Sequence, residues 1–255
     1  MNAIGASTAM VSSSTSLLEL HGISITARGH PVLEKVDLRV GSGECHVLFG
    51  PNGSGKSALV MGIMGLPGYA ITSGSMRFRG EEITSLPPHE RARRGIGLFY
   101  QRPPTVHGVS LRELAAVCQA GQSAPVSVEA LAQRLGCAPL LDRDTNDGFS
   151  GGEIKLSELL QLLAREPILS LIDEPDSGVD ADNLSVVGSA LRGLIAGEAS
   201  CCPRAAILIT HSGRILDYVK PNVGHVIGNG RIVRHGDPAA LFAEIRANGY
   251  KRLLE

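Results

Sequence analysis

Gly50-Pro51-Asn52-Gly53-Ser54-Gly55-Lys56-Ser57 satisfies every fixed position of the phosphate-loop pattern G-x-x-x-x-G-K-[ST]. The flanks agree with it. Residues 45–49 (CHVLF) are a short apolar run that reads as a buried strand, and residues 58–61 (ALVM) continue as a helix. A glycine-rich turn between them lets backbone N–H groups converge on phosphate oxygens, and the helix N-terminus adds favourable partial charge. Lys56 supplies a mobile positive charge and Ser57 a hydroxyl suited to Mg²⁺. All eight residues, Gly50 to Ser57, are therefore expected to line a nucleoside-triphosphate site.

Composition narrows what such a site serves. The 255 residues suffice for one core, or one core and a small lobe. With no Trp and only 4% aromatic residues, aliphatic side chains must fill it. A net charge of −1 and a pI near 6.7 lack the basic footprint of a nucleic-acid binder. No apolar run approaches the roughly 20 residues needed to cross a bilayer, so no direct membrane insertion is expected. The five cysteines form no C-x-x-C pair, which suits a reducing, cytoplasmic setting. Adjacent Cys201-Cys202 read as free thiols or as a soft-metal pair. Residues 1–16 are small and polar without a basic start or apolar stretch, and read as a disordered tail rather than a signal peptide.

Working outward, residues 17–27 and 32–40 read as strands, giving an antiparallel β region ahead of the phosphate loop. A short strand follows over 74–80, a helical turn after Pro87-Pro88, and a further strand at 96–100. From 102 to about 146 no strand pattern appears. Instead a helix begins at Ser110 and runs to Gly121, and Ser127 caps a second over 128–135 that Gly136 ends. Strands at 168–172 and 206–210 flank a helix at 183–195, a rhythm that implies a parallel sheet covered by helices. Asn229-Gly230 marks a hairpin turn within 226–233, and 239–254 reads as mostly helical.

Five further segments carry a family resemblance. Phe149-Ser150-Gly151-Gly152-Glu153 resembles the signature segment of ATP-binding-cassette (ABC) ATPases. Residues 168–174 (ILSLIDE) resemble their Walker B strand, and Ser177-Gly178-Val179-Asp180 the D-loop. Gln101 corresponds to the Q-loop glutamine and His211 to the switch histidine. Together with the phosphate loop they stand in the family's order, across nearly all of residues 17–255. The resemblance implies an α/β P-loop NTPase fold with a mainly parallel sheet core, an N-terminal antiparallel β region and a small inserted helical lobe. The nucleotide-binding core then comprises 17–101 and 158–255, and the helical signature subdomain 102–157. ATP and Mg²⁺ are the implied ligands, with the metal on Ser57, Gln101 and Asp173.

The implied chemistry is mainly positioning and electrostatic stabilisation of the transferred phosphoryl group. Glu174 acts as general base or water orienter, His211 hydrogen-bonds the γ-phosphate, and Lys56 and Gln101 complete the catalytic set. Read alone, His211 is equally a strand-end cap and Gln101 a loop amide. In the family Ser150, Gly151 and Gly152 serve the nucleotide of the opposite protomer, which implies an ATP-dependent homodimer. Many members stack adenine on an aromatic residue in the first strand–turn region, where this chain has Ala27, leaving Arg28 or His30 as candidates.

Within the family, residues 149–180 look like SufC, the ATPase of iron–sulfur cluster assembly. Glu153, Lys155 and Asp176-Ser177-Gly178 carry the likeness, as do residues 214–221 (RILDYVKP) and Gly249-Tyr250. The implied partners are SufB- or SufD-like scaffold subunits, which Pro103-Pro104 and Gly108-Val109-Ser110 would face, and the implied compartment is the cytoplasm. Pro175, after Glu174, follows transporter cassettes instead, so the nucleotide-binding subunit of a membrane transporter is the alternative. Lys155 reads as a solvated helix residue, or as a partner of Glu174 or Asp176. The 214–221 run has Ile215, Leu216 and Val219 at helical spacing and also reads as a helix packed on the sheet.

Overall fold

The computed structural model describes residues 16–120, 122, 125–197 and 203–254. Three expectations fall outside them: the tail over 1–16 apart from Ser16, which opens the first strand instead, the helix end at Gly121, and the Cys201-Cys202 pair. In chain order the first half comprises β1 (Ser16–Ala27), β2 (His30–Gly41), β3 (Cys45–Phe49), α1 (Lys56–Met64), β4 (Tyr69–Phe78), β5 (Glu81–Glu82), α2 (Pro88–Arg93), β6 (Ile96–Phe99), β7 (Val106–Ser110) and α3 (Leu111–Cys118). The second half comprises α4 (Val128–Leu135), β8 (Asp144–Thr145), α5 (Gly151–Arg165), β9 (Leu169–Asp173), α6 (Ala181–Ala196), β10 (Ala205–Ile209), β11 (Val223–Gly228), β12 (Arg231–Gly236), α7 (Pro238–Asn248) and α8 (Lys251–Leu254).

Two sheets face one another. The antiparallel one runs β2-β1-β4-β5 and the six-stranded one β12-β11-β3-β10-β9-β6. In the larger sheet β11, β3, β10, β9 and β6 are parallel, and only the edge strand β12 is antiparallel. Its central strands are covered on both faces, which is why their sequences are continuous apolar runs rather than alternating ones. Successive side chains still divide between two cores. Cys45, Val47 and Phe49 of β3 point under the helices, and Leu48 points toward the antiparallel sheet. Ala206 and Leu208 of β10 go with the first set, and Ala205, Ile207 and Ile209 with the second. α1 is packed into the core between the sheets, so the phosphate loop leaves β3 and enters a helix anchored on its buried side.

The segment between β6 and β9 packs α3, α4 and α5 together through Leu111, Ala115, Leu131, Leu135, Leu156 and Leu159. Burying each of those leucines fully contributes about 1.5–3 kcal/mol. Both short helices start where the sequence predicts. Ser110 forms a reciprocal capping box with Glu113, and Ser127 accepts from the Ala130 N–H. α5 runs unbroken through residues 157 and 158.

The structure departs from the sequence reading in three places. The lobe is not purely helical: β7 and β8 pair antiparallel, tying the two ends of the inserted segment together. Their brevity and polar content hid them, since Val106, His107 and Gly108 offer no alternation long enough to read. The strand expected over 74–80 begins at Tyr69 instead, because β4 follows β1 along its whole length in the register Phe78 with Leu18 to Tyr69 with Ala27. Gly74 sits at a break in that register with φ 88°, where an added Cβ would lie 2.5 Å from the Gly22 carbonyl oxygen. Finally, the 214–221 run forms only a 3₁₀ turn over Arg214–Asp217, although Ile215 and Val219 are buried as its spacing predicts.

Candidate functional site

The phosphate loop turns into α1 through Gly55, whose φ of 106° places it in a region that side chains other than glycine rarely occupy. A Cβ there would also approach Leu33 to 2.5 Å. Asn52, Gly53, Gly55, Lys56 and Ser57 line one cavity of about 650 Å³, together with Gln101, Glu174 and His211. That is ample for a nucleotide-sized ligand. Gly50 and Pro51 take part through their carbonyls, which accept from the Lys56 Nζ at 2.8 and 2.9 Å. Lys56 is only 4% exposed, and burial lowers its pKa against the opposing pull of Glu174 and Asp173. The Ser54 hydroxyl is buried without a partner.

Asp173 ends β9 at 1% exposure. Neither of its carboxylate oxygens has a hydrogen-bond partner of normal geometry. Burial raises its pKa, with the nearby Ser57 hydroxyl as the main opposing influence and Glu174 adding to the rise. A buried carboxylate without partners, beside a hydroxyl and close to Lys56, is a donor set suited to a hard divalent cation such as Mg²⁺.

Glu174 follows in a left-handed conformation with φ 48°, strained for a residue with a side chain. Its Oε1 lies 3.0 Å from His211 Nε2, and its Oε2 accepts from the Gln101 side-chain amide. Gln101, Glu174 and His211 therefore meet. Burial and then Lys56 lower the His211 pKa, with Glu174 and Asp176 opposing. Asp176, buried, accepts from the hydroxyls of Thr210 and Ser212 on either side of His211, and Thr210 in turn accepts from the Gly213 N–H. This carboxylate frames the backbone that carries the histidine, a role its sequence position gave no means to predict.

Ser150, Gly151 and Gly152 lie apart from that cavity. Ser150 caps α5, accepting from the Glu153 N–H, while the Glu153 carboxylate accepts from the Ser150 N–H at 2.7 Å. Glutamate at position 153 thus has a local explanation, the third residue of a capping box. Ser150 and Gly151 are exposed.

Lys155 fits neither expectation. It is 3% exposed, and its ammonium donates to the Tyr100 and Gln101 carbonyls at 3.3 and 2.9 Å rather than to Glu174 or Asp176. One turn on, Glu158 accepts from the Tyr100 N–H at 3.1 Å, and its own burial raises its pKa to about 7. α5 therefore grips the backbone that carries Gln101. Sequence reasoning also missed Tyr69, which lines the cavity with Ala27 and Val32; Arg28 and His30 are exposed and do not.

Known proteins share this sequence and this fold. A model of the ABC transporter family matches residues 33–177. The chain is 36% identical over 252 residues to the probable ATP-dependent transporter SufC of Escherichia coli, covering 94% of this chain and 99% of that one. It is 35% identical over 250 residues to the probable ATP-dependent transporter ycf16 of Trieres chinensis, covering 93% and 97%. Among solved structures, the ATP-binding subunit of an ABC transporter superposes with a TM-score of 0.75 at 21% identity, covering 94% of this chain and all of the other.

Proposed function

Because this chain belongs to the ABC ATPase family, in the branch of SufC, we propose that it is the ATP-hydrolysing subunit of a SufBC(D)-type iron–sulfur cluster assembly complex. The observation that carries the ATPase assignment is the convergence of Lys56, Ser57, Gln101, Asp173, Glu174 and His211 on one cavity or its wall. In this reading Lys56 exchanges the Gly50 and Pro51 carbonyls for phosphate oxygens. Ser57 and Asp173, with Gln101, would hold Mg²⁺, which neutralises charge on the transferred phosphoryl group when bound. Glu174 accepts a proton from, or orients, the attacking water. His211 turns its ring N–H to the γ-phosphate. Gln101 and His211 are bonded to Glu174 in this state, so filling the cavity redistributes those bonds.

Ser150, Gly151 and Gly152 belong to the proposal through a second copy. They do not line their own cavity, and the N-terminus of a 15-residue helix offers donors to an anion on a facing surface. ATP then holds two copies together and hydrolysis loosens them, a cycle that would remodel SufB- or SufD-like scaffolds in the cytoplasm. No helix among the described residues is long and apolar enough to cross a membrane.

Glu174→Gln tests the catalytic assignment. Turnover should fall by about 10²–10⁴-fold while ATP binding persists and a dimer accumulates. Unchanged turnover would remove Glu174 from the role. The second reading, a membrane transporter's nucleotide-binding subunit, is favoured by the transporter names of the relatives and by Pro175. Affinity capture from the native lysate, with soluble and membrane fractions kept apart, separates the two. A soluble scaffold supports the first and a polytopic permease the second.

A further inference from the structure

The cavity lining is chemically mixed. Besides the residues named in the phosphate chemistry, the cavity is lined by the apolar Ala27, Val32 and Ala58 and by Tyr69, the one residue of these four that carries a ring. Tyr69 opens β4, and its register partner in the antiparallel pairing with β1 is Ala27, the last residue of β1. Residues directly opposite in such a pair place their Cβ atoms on the same face of the sheet, about 5 Å apart. A ring rooted at 69 therefore projects to the side where a ring rooted at 27 would, and both residues line the cavity.

The local backbone fixes this arrangement. Gly68 takes φ 88° to turn the chain into β4, its carbonyl accepts from the Arg28 N–H at 2.8 Å, and the Tyr69 N–H donates to the Leu66 carbonyl at 3.2 Å. The start of β4 is thus tied both to the end of β1 and to the turn after α1. Tyr69 is half-buried, packs against the core between the sheets and lines the cavity. Packing alone does not call for an aromatic residue at the cavity wall.

We propose that Tyr69 is the base platform of this site, stacking the nucleotide's purine from β4 in place of the ring that β1 lacks at Ala27. The assignment rests on the ATP reading above and adds to it the residue that distinguishes base from phosphate. Planar stacking on tyrosine favours large purine rings and makes no hydrogen bond to base edges. The site should accordingly prefer ATP and GTP over CTP and UTP, with little choice between the two purines.

The test compares binding of Mg·ATP and of Mg·tripolyphosphate, which has no base, to the full chain by calorimetry. Tyr69→Leu keeps an apolar side chain at the strand start, Tyr69→Ala removes it, and Tyr69→Phe keeps the ring. The expected result is ATP affinity lowered roughly 10- to 100-fold in the Leu and Ala variants and within about twofold of wild type in the Phe variant. Tripolyphosphate affinity should be the same in all four proteins. Unchanged ATP affinity in Tyr69→Leu overturns the proposal. So does an equal loss of ATP and tripolyphosphate, which would make Tyr69 a structural residue only. Wild-type protein that binds tripolyphosphate as tightly as ATP refutes the platform but leaves the phosphate site intact. Wild-type protein that binds neither refutes the ATP reading and the platform with it.

Discussion

Acidification should destabilise this protein through one histidine pair. His46 on β3 and His225 on β11 stack with ring centroids 5.1 Å apart and share an Nδ1···Nε2 contact of 2.9 Å. His46 Nε2 lies 3.0 Å from Glu44 Oε2. The Glu44 carboxyl is buried in part, which raises its pKa, but the Gly41 N–H and His46 outweigh this and keep it ionised. His46 must then donate from Nε2, leaving its Nδ1 to accept from His225. The remaining nitrogen, His225 Nδ1, is buried with no partner. A proton added there creates a charge with no acceptor, and one added to His46 Nδ1 sets two N–H groups against each other.

Burial, followed by the neighbouring His46 and His235, pushes the His225 pKa down to about 4. An unfolded histidine titrates near 6.5, so below that pH the unfolded chain binds the extra proton and the folded one refuses it. Stability is complete above about pH 6.5 and falls as the pH drops toward 4. The loss reaches about 2 kcal/mol by pH 5 and about 3 kcal/mol by pH 4. Against a typical total of roughly 5–15 kcal/mol this is a large share. Urea unfolding of wild type and His225→Phe, without nucleotide, at pH 7, 6 and 5 isolates the effect, because carboxylate contributions cancel in the difference. Wild type should lose about 2 kcal/mol more than the variant between pH 7 and 5. Parallel pH profiles for the two proteins would refute the reasoning.

Two further perturbations follow from buried charges. Arg91, 3% exposed, has no carboxylate partner among the described residues; it donates instead to the carbonyls of Gly62, Ile63, Thr84 and Leu86, each at 2.8 Å. Arg91→Ala should lower stability by on the order of 3 kcal/mol in denaturant titration, because it removes the side-chain donor from the Ile63 carbonyl near the end of α1 and from the Thr84 and Leu86 carbonyls, and Arg91→Lys should restore only part as a point charge. Asp173→Asn should act in opposite directions on stability and function. Relieving a buried carboxylate should raise the melting temperature of nucleotide-free protein, by on the order of 1 kcal/mol of stability, while Mg²⁺-dependent ATP turnover is lost. A variant that melts lower without nucleotide would show that Asp173 has a stabilising partner after all.

Much of this was legible because the deciding signals are contiguous. The phosphate loop, the Ser127 and Gly136 caps of α4, and the Asn229-Gly230 turn each specify backbone geometry within a few residues. The buried strands were legible for a different reason, since only a two-faced position accepts five successive apolar residues. The features that escaped depend on register between distant segments. Nothing near Tyr69 marks it as a cavity residue; its meaning comes from standing opposite Ala27, 42 positions earlier, and only the β1–β4 pairing supplies that.

Lys155 makes the same point about charge. A lysine at the second turn of a helix reads as solvated by default, and its burial follows from α5 packing against the Tyr100-Gln101 backbone rather than from its neighbours in sequence. The physical consequence reaches the site. Lys155 and Glu158 hold residues 100 and 101 by both carbonyls and one N–H, and the Gln101 side chain ends on Glu174. The helix that Ser150 caps is therefore connected, through partly buried hydrogen bonds and the Gln101 residue between them, to the carboxylate proposed to act on water. A ligand seated on the exposed start of α5 and one seated in the cavity would both act on the first two turns of that helix.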